Sequence, residues 1–490
     1  MRAIVFVLRG CPAGWLGTYG NEWVGSPNLD RIAAEGVVFD RHLSDCPTAD
    51  EVCWSWLSGR HHLPPLPDQE SLRGAEDAVG CDILLSTLRA AGVWSVLIRA
   101  NHPDTDAPAP FYAGWDEVFD ARPQADQDSP LDALLGALPS LLDRLATVPQ
   151  WLAWVEVDRL IPPWDVRQDV FEAYLGDEDE VESIAPNHDQ LDDSRADPNT
   201  DGEGEELGEN GGDESDNTNA EEQSEDTEEL DPREDAALAE AESEPVSPFF
   251  DPPTGPFDRA DPAAWEWLHR TFAAVVTSLD AELGAIFDQL QTRGLDQTAT
   301  WAVTSDHGYP LGEHGQVGIH RPWLHEELVH VPLIVRFPGA AEAGRRVPSL
   351  TQPVDLAPTL LELFGVDLPT TSIHGHSLLP LVRGEVESVR PYALSGLTLN
   401  GATEWSIRTA EWAYLLPGTR PATDPPRQPQ LFEKPDDHWE VNDLQRQHLD
   451  LTERLDEVLR QAIAATGRPG SLVLPEVEVA NPELTAPAAD

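Results

Sequence analysis

The sequence predicts an α/β protein: an α/β/α sandwich around a mostly parallel sheet, followed by a small C-terminal α+β subdomain. Short runs of aliphatic and β-branched residues, such as residues 3–8, are typical of strands buried on both faces. These runs alternate with amphipathic segments of helical period, the longest of them from Pro262 to Thr292. At 490 residues, of which 40% are hydrophobic, the chain is long enough to bury such a core.

Buried strands are predicted throughout the main α/β part. Each is a run of aliphatic, aromatic and β-branched residues that is too short for an independent helix. They occupy residues 3–8, 37–39, 94–98, 151–157, 300–304 and 331–337. Because helical segments separate them, we expect a parallel sheet with helices on both faces.

Capping residues mark the ends of the predicted helices. Ser26 and Pro27 begin the first one, since a hydroxyl can cap free N–H groups and proline suits the first helical position. Gly36 ends it, and Gly294 ends the long helix. The long helix has one apolar face, with residues spaced by three and four. These are Leu268, Phe272, Val275, Leu279, Leu283, Ile286 and Leu290.

The pattern changes near residue 386, so residues 1–385 are predicted to form the main domain. Short strands and an amphipathic helix then predict a small subdomain over residues 386–466. The strands are expected at 406–409, 413–416 and 430–433, and the helix at 449–463. Residues 467–490 are proline-rich and predict an irregular tail.

An acidic insertion interrupts the main domain at residues 177–244. It holds 29 Asp or Glu residues against two Arg, so it cannot bury enough apolar surface to offset the entropy cost of ordering. We expect a disordered arm, which is either a solvated segment or a docking or calcium-binding one. The formal net charge of the chain is −58. Such a chain repels nucleic acid and anionic membrane surfaces, so neither is an expected partner.

Other features favour a cytoplasmic protein. The apolar run at residues 3–8 is shorter than the core of a signal peptide, and no small-residue cleavage site follows it. No run of 18 apolar residues is present. Cys11, Cys46, Cys53 and Cys81 lack both zinc-site spacing and the density of a disulfide-rich fold, so we expect reduced thiols.

Several short motifs follow one another in order from residue 3 to about residue 445. They are LGTYGN at 16–21, SPNLDR at 26–31, LSGR at 57–60, TSDHG at 304–308, LGEHG at 311–315, VPLI at 331–334, VDLAPTLL at 354–361, LLPL at 378–381 and the stretch 430–442. In this order they resemble the sulfatase family, within the alkaline-phosphatase-like superfamily. The resemblance implies that fold and the hydrolysis of sulfate esters. It also implies a formylglycine nucleophile, made from Cys or Ser, and a divalent cation, usually calcium.

The first half of the implied metal site is altered. Counted back from the LGTYGN motif, the family's paired metal-binding Asp residues fall on Arg9 and Gly10. An arginine there inverts the charge of a site that must hold a dication. Asp306 and His307 match the later metal-binding residues and form half a site. A purely structural role is the alternative, because a Ser-Asp-His-Gly turn closes its own hydrogen bonds.

The implied nucleophile is missing. Counted without gaps from the LSGR motif, its position falls on Ala49, and its accompanying Pro and Arg are replaced by Glu51 and Cys53. A gapped alignment would place Cys46 or Thr48 there, but no Arg stands at the expected offset. We expect Cys46 to be a small buried thiol in a loop.

Other catalytic positions of the family are partly retained. His102 lies near a strand end where the family has a His, and His314 is kept. A cationic residue stands at His320 or Arg321, where the family has Lys. The family's central Asp-Pro-His segment reads Asp-Arg-Leu at 158–160, so that His is absent.

Charge balance predicts an ion pair between Arg9 and Asp306. Without a metal ion, Asp306 would be a buried and uncompensated carboxylate, which is costly. Arg9 follows a neighbouring strand and would supply the positive charge where the metal would sit.

Three functions are consistent with these residues. The first is a catalytically degenerate sulfatase homologue, a pseudo-sulfatase that needs no cofactor and binds a sulfated or phosphorylated ligand or a protein partner. The second is an active sulfuric or phosphoric ester hydrolase with a rearranged calcium-dependent site. The third assigns the function to the acidic arm, with the folded domain as its carrier.

Overall fold

The computed structural model describes residues 1–67, 83–100, 109–121, 130–175, 247–368, 373–422, 426–467 and 475–476. The predicted acidic insertion at 177–244 lies outside the described residues, as do His102, Cys81 and most of the predicted tail at 467–490. Within the described part of the chain, no helix is long and apolar enough to cross a membrane.

Two sheets account for most of the strands, and a short two-stranded ribbon holds the others. The strands are β1 (Arg2–Leu8), β2 (Val37–His42), β3 (Trp94–Ala100), β4 (Glu117–Asp120), β5 (Trp151–Val157), β6 (Gly255–Pro256), β7 (Thr300–Thr304), β8 (Gln316–Val317), β9 (Leu333–Arg336), β10 (Arg345–Thr351), β11 (Ala393–Leu399), β12 (Ala402–Arg408), β13 (Trp412–Pro417) and β14 (Gln430–Glu433).

The helices lie between these strands and after them. They are α1 (Pro27–Ala34), α2 (Ala49–Ser58), α3 (Ile83–Ala90), α4 (Ala109–Ala113), α5 (Pro130–Leu145), α6 (Gln168–Glu172), α7 (Pro262–Thr292), α8 (Glu326–Val329), α9 (Leu356–Leu363), α10 (Leu379–Val382) and α11 (Leu449–Thr466). Asp261 caps α7 by accepting a hydrogen bond from the Ala264 N–H, and Pro262 takes the first helical position.

The larger sheet has eight strands in the order β10-β2-β9-β7-β1-β5-β3-β4. Strand β9 runs antiparallel to both β2 and β7, while the other neighbouring pairs are parallel. The predicted mostly parallel sheet is therefore confirmed. Strand β10 was not predicted, because its sequence RRVPSLT is polar and contains a proline. It is an edge strand with an irregular register after Val347, which is where a sheet tolerates proline.

Helices cover both faces of this sheet. Alternate residues of β1 enter two separate cores: Phe6 packs with residues of α1, α5 and α7, and Val5 packs with residues of α2, α3, α9 and α10. Burial on both faces explains why β1 is apolar throughout rather than alternating. The α/β/α sandwich predicted from the sequence is thus present.

The second sheet is antiparallel, in the order β11-β12-β13-β14. Helix α11 packs on it, and residues such as Trp405, Tyr414 and Leu459 share one core there. The predicted strands near residues 406, 413 and 430 belong to this sheet. Its first strand, β11, was not predicted. The small α+β subdomain is confirmed as a fold element.

Candidate active site

The carboxyl ends of three central strands meet at one edge of the larger sheet. Strand β1 lies between β7 and β5, and Val7 is paired with Thr304 on one side and with Glu156 on the other. Arg9 follows β1, and Asp306 follows β7. In open α/β sheets this edge is where ligands usually bind.

Arg9 forms a buried ion pair with Glu156. The Arg9 Nη2 atom lies 2.8 Å from Glu156 Oε1, and their side chains are 4% and 1% exposed. Burial lowers the pKa of Arg9, but the charges of Glu156 and Asp306 outweigh it and raise that pKa overall. The expectation of an Arg9–Asp306 ion pair is therefore wrong. The direct partner is Glu156 on β5, and Asp306 contributes its charge from farther away.

Backbone donors hold Asp306 in place. Its Oδ1 atom accepts hydrogen bonds from the N–H groups of Gly10, at 3.0 Å, and His307, at 2.8 Å. The Ser44 hydroxyl donates to the Asp306 carbonyl oxygen at 2.6 Å. The other carboxylate oxygen, Oδ2, has no hydrogen-bond partner and lies 3.6 Å from His307 Nε2. The loop after β7 is thus tied to the ends of β1 and β2.

Gly10 occupies a position that disfavours any side chain. Its φ is +74°, in the left-handed region that glycine adopts without strain. A Cβ atom built there would lie 2.6 Å from Ile161 Cδ1, closer than real Cβ contacts allow. A carboxylate at this position would therefore require both a strained backbone and movement of Ile161.

The residues of this site do not fit the calcium ion that the family resemblance implies. Calcium takes six to eight oxygen ligands, several of them carboxylates. Asp306 Oδ2 is an unpartnered oxygen of the kind a cation would bind, but a guanidinium and a glycine stand where the opposing carboxylates would be. Within the described residues, no group of three or more His, Cys, Asp or Glu side chains has metal-binding geometry.

The segment before α2 carries no activated nucleophile. Ala49, at the predicted nucleophile position, is the first residue of α2, and Thr48 precedes it as N-cap without making a side-chain capping bond. Cys46 is buried, with its Sγ atom 3.1 Å from the His62 carbonyl oxygen. Burial is the main cause that raises the pKa of both Cys11 and Cys53. These two sulfurs are therefore thiols rather than nucleophilic thiolates.

His314 and Arg321 make their contacts elsewhere. His314 contacts Glu327 and the backbone of Glu440, at the junction with the C-terminal sheet. The Arg321 guanidinium stacks 4.6 Å from the centre of the Trp323 ring and lines a cavity of about 90 Å³ at that sheet. The backbone carbonyl of His320 accepts a hydrogen bond from Asn400. Of the predicted site residues, the structure brings Arg9, Gly10, Asp306 and His307 together.

Glu156 is the site residue that the sequence analysis missed. It is the only charged residue in the buried strand WLAWVEV, and a lone carboxylate in such a strand is rarely stable without a partner. That single charge was the available signal.

A family model described as Sulfatase matches residues 210–366. The match contains the Asp306–His307 loop. Positions 9, 10 and 49, where the family's first carboxylates and nucleophile would fall, lie outside it.

Curated relatives match over part of their length. Arylsulfatase K from Rattus norvegicus is 33% identical over 202 residues, which cover 39% of this chain and 34% of that protein. N-acetylglucosamine-6-O-sulfatase from Bacteroides thetaiotaomicron is 38% identical over 125 residues, which cover 25% of this chain and 22% of that protein. The chain thus spans about a third or less of the length of these relatives.

Solved structures match over nearly the whole chain. A phosphonate monoester hydrolase of Agrobacterium radiobacter has a TM-score of 0.61 and 17% identity, covering 96% of both chains. A 2-O GAG sulfatase has a TM-score of 0.61 and 17% identity, covering 95% of this chain and 92% of that one. At these identities the likeness is one of fold, and it confirms the alkaline-phosphatase-like architecture expected from the sequence.

Proposed function

We propose that this chain, a sulfatase-family protein, is catalytically degenerate: a pseudo-sulfatase that keeps the fold without hydrolysing esters. The Arg9–Glu156 ion pair carries the proposal. It puts a permanent positive charge where the family holds a metal ion between carboxylates. A cation that entered this position would lie next to the guanidinium. The loss of the cation's water shell beside a like charge is unfavourable.

The backbone at Gly10 supports the same conclusion. Because of its φ of +74° and the close approach of Ile161, a single substitution would not restore the second carboxylate without strain. The difference at the end of β1 is therefore more than one exchanged side chain. It involves the packing of the strand against the 158–161 turn and the Asp306 loop.

Among the described residues, the position expected for the nucleophile supports the same proposal. The family reaction requires a nucleophile that faces a metal-activated, positively charged pocket. Here the nucleophile position is Ala49, and the nearby thiols of Cys11 and Cys53 have raised pKa values. We propose that the retained fold binds a sulfated or phosphorylated ligand or a protein partner without a cofactor.

A turnover assay tests the proposal. Purified full-length chain is incubated with 4-nitrophenyl sulfate and 4-nitrophenyl phosphate, with and without calcium or manganese, beside the variant Asp306→Asn. We expect the full-length chain and Asp306→Asn to show the same rate of ester hydrolysis under every condition, because the nucleophile and the first carboxylates are missing.

Metal analysis provides the second arm of the test. After dialysis against calcium and removal of free ion, elemental analysis is expected to find far less than one calcium per chain. A stoichiometric ion that Asp306→Asn loses would overturn the proposal, and so would ester turnover that disappears in that variant. Either outcome would favour an active hydrolase with a rearranged metal-dependent site.

A further inference from the structure

A second group of buried charges lies between the main domain and the C-terminal sheet. We call His314, His325, Glu327 and Glu440 the junction cluster. His314 belongs to the loop after β7, while His325 and Glu327 lie at the start of α8. Glu440 belongs to a turn after β14, more than a hundred residues away along the chain.

Both ring nitrogens of His314 face acceptors. Nδ1 lies 2.7 Å from Glu327 Oε1, and Nε2 lies 3.3 Å from the Glu440 carbonyl oxygen. A neutral imidazole has one N–H group and can make only one of these bonds, whereas an imidazolium makes both. Burial opposes the charged ring, but the hydrogen bond and charge of Glu327 outweigh it, so the pKa of His314 is raised.

Buried hydrogen bonds and ion pairs hold the turn that contains Glu440. Glu440 is buried, and its φ of +51° lies in the left-handed region, which is unfavourable for a residue with a side chain. Its carboxylate is bound by His325 Nδ1 at 2.9 Å, by Arg408 at 2.9 Å and by Lys434 at 3.0 Å. The rings of His314 and His325 stack with their centres 3.9 Å apart. The Glu326 N–H of α8 also donates to this carboxylate at 3.3 Å, and His314 adds a bond to the backbone carbonyl of Glu440.

The same turn forms one wall of a cleft. His438 and Trp439 line the cleft opposite Pro12, Gly14 and Trp15, and its other lining residues include Glu313, Glu327 and His330. Trp439 is 59% exposed, so this wall is held chiefly by hydrogen bonds, those at Glu440 and one from Lys434 Nζ to the His438 carbonyl oxygen at 3.1 Å. Movement of the turn would therefore change the width of the cleft.

We propose that His314 is a pH-sensitive latch. Its protonated ring ties the turn at residues 438–440 to α8, and loss of one proton at alkaline pH releases the turn and widens the cleft. The His314–Glu440 backbone bond breaks in this step, because the remaining N–H group stays with the Glu327 carboxylate.

The groups around His314 favour the closed state at neutral pH. Glu327 from α8 and Glu440 from the turn attract its charge. Burial chiefly raises the pKa of Glu313, on the same loop, to about 8, so this carboxyl becomes a further negative neighbour only in mildly alkaline solution. His325 stacks on the ring, and the Trp323 ring lies edge-on to it. On the far side of Glu440, the cations Arg408 and Lys434 keep its carboxylate ionised.

The sign of the effect follows from the raised pKa. The contribution of the latch is complete below the ordinary pKa of histidine and disappears as pH rises through the raised value. The turn is therefore expected to be ordered below the ordinary pKa of histidine and to open as pH rises through the raised pKa of His314.

Hydrogen–deuterium exchange of residues 434–442 tests the latch. The full chain and the variant His314→Gln are compared between about pH 6 and pH 9, with rates corrected for intrinsic exchange. In the wild type we expect protection to fall as pH rises through the raised pKa of His314. In His314→Gln we expect low protection at every pH. The control His448→Gln removes an exposed histidine that contacts the Trp412 ring, and it should keep the wild-type profile.

An unchanged pH profile in His314→Gln would overturn the proposal. If that variant does not fold, the wild type decides the question through NMR titration of ¹³C-labelled histidine rings. A ring that titrates above the ordinary value of about 6.5, and whose midpoint falls in Glu327→Gln, supports the latch. The absence of any such ring refutes it.

Discussion

The chain buries charge in two places that differ in whether the positive charge can be removed. At the edge of the larger sheet, the guanidinium of Arg9 faces Glu156 with both side chains almost fully buried. At the junction with the C-terminal sheet, the imidazole of His314 faces Glu327, and His325 faces Glu440. A guanidinium stays charged at any pH that a protein tolerates, whereas an imidazole does not.

This difference suggests two uses of buried ion pairs in one fold. The pair at the sheet edge keeps its positive charge, since the Arg9 guanidinium does not titrate near neutral pH. The junction cluster holds two parts of the molecule together through a proton that mild alkali removes. Variants at the two sites distinguish a fixed ion pair from a titratable one.

Breaking the fixed pair should have the largest effect. We expect Arg9→Met to lower the free energy of unfolding by about 3–5 kcal/mol, because it leaves Glu156 buried and uncompensated. The double variant Arg9→Met with Glu156→Leu should recover most of that loss, since it removes both charges of the pair. Urea unfolding of the variants measures both effects.

An exposed ion pair is the matched control for this experiment. Arg167 and Asp169 are 75% and 63% exposed, so Arg167→Met should leave the unfolding free energy almost unchanged. A double variant at the sheet edge that is as unstable as Arg9→Met would mean that packing, rather than the uncompensated charge, accounts for the loss.

Weakening the junction should have the next largest effect. Glu440→Gln removes the carboxylate bound by His325, Arg408 and Lys434, and we expect it to cost about 2–3 kcal/mol in urea unfolding. Glu433→Gln, at an exposed position on β14, is the control and should have little effect. Equal losses in the two variants would show that the network around Glu440 contributes nothing specific.

Gly10→Ala should have a smaller effect on the sheet edge. We expect a loss of about 1–2 kcal/mol from the left-handed backbone and the close Ile161 side chain. Gly14→Ala is the control, because nothing lies within 4 Å of a Cβ atom built there and its φ is not in the left-handed range. Similar stability of the two variants in thermal unfolding would remove the conformational argument for Gly10.

The smallest expected effect is the alkaline decline in stability. The pKa of His314 is raised, and that of Glu313 is raised to about 8, so the folded state holds both protons more tightly than the unfolded chain does. Stability should therefore fall as pH rises, by about 1 kcal/mol between about pH 7 and pH 8 through Glu313 alone. Glu313→Gln should flatten part of this decline, and Arg9→Met should leave the slope unchanged. A different dependence of stability on pH in Arg9→Met would contradict the division into a fixed ion pair and a titratable junction cluster.

Much of the fold could be predicted from local patterns. The bounds of α7, β5 and β7 follow from apolar spacing and capping residues that act within a few residues of each other. Strand β10 and the first strand of the C-terminal sheet could not be predicted in the same way. The first is a polar edge strand with a proline, and its pairing with β2 depends on the whole sheet.

The candidate site was predictable only in part, because its contacts depend on the order and register of strands. The motif order placed Arg9 and Asp306 at strand ends of one sheet, which is correct. It could not reveal that β1 has β7 on one side and β5 on the other, with Val7 opposite Glu156. The partner of Arg9 therefore came from a strand about 150 residues away. His314 similarly lies within a family motif, but its contacts reach the C-terminal turn.

The ion pairs of Lys434 have a chemical consequence. Lys434 is the only lysine among the 490 residues, and its amine contacts Glu326 and Glu440 at 3.0 Å each. Acylation of a lysine side chain in this protein can therefore occur only at the base of the 438–440 turn, where it would abolish the cation that helps to hold Glu440. Since the two carboxylates raise the pKa of this amine above its usual value, the neutral form that reacts with acylating reagents is scarce until the turn opens.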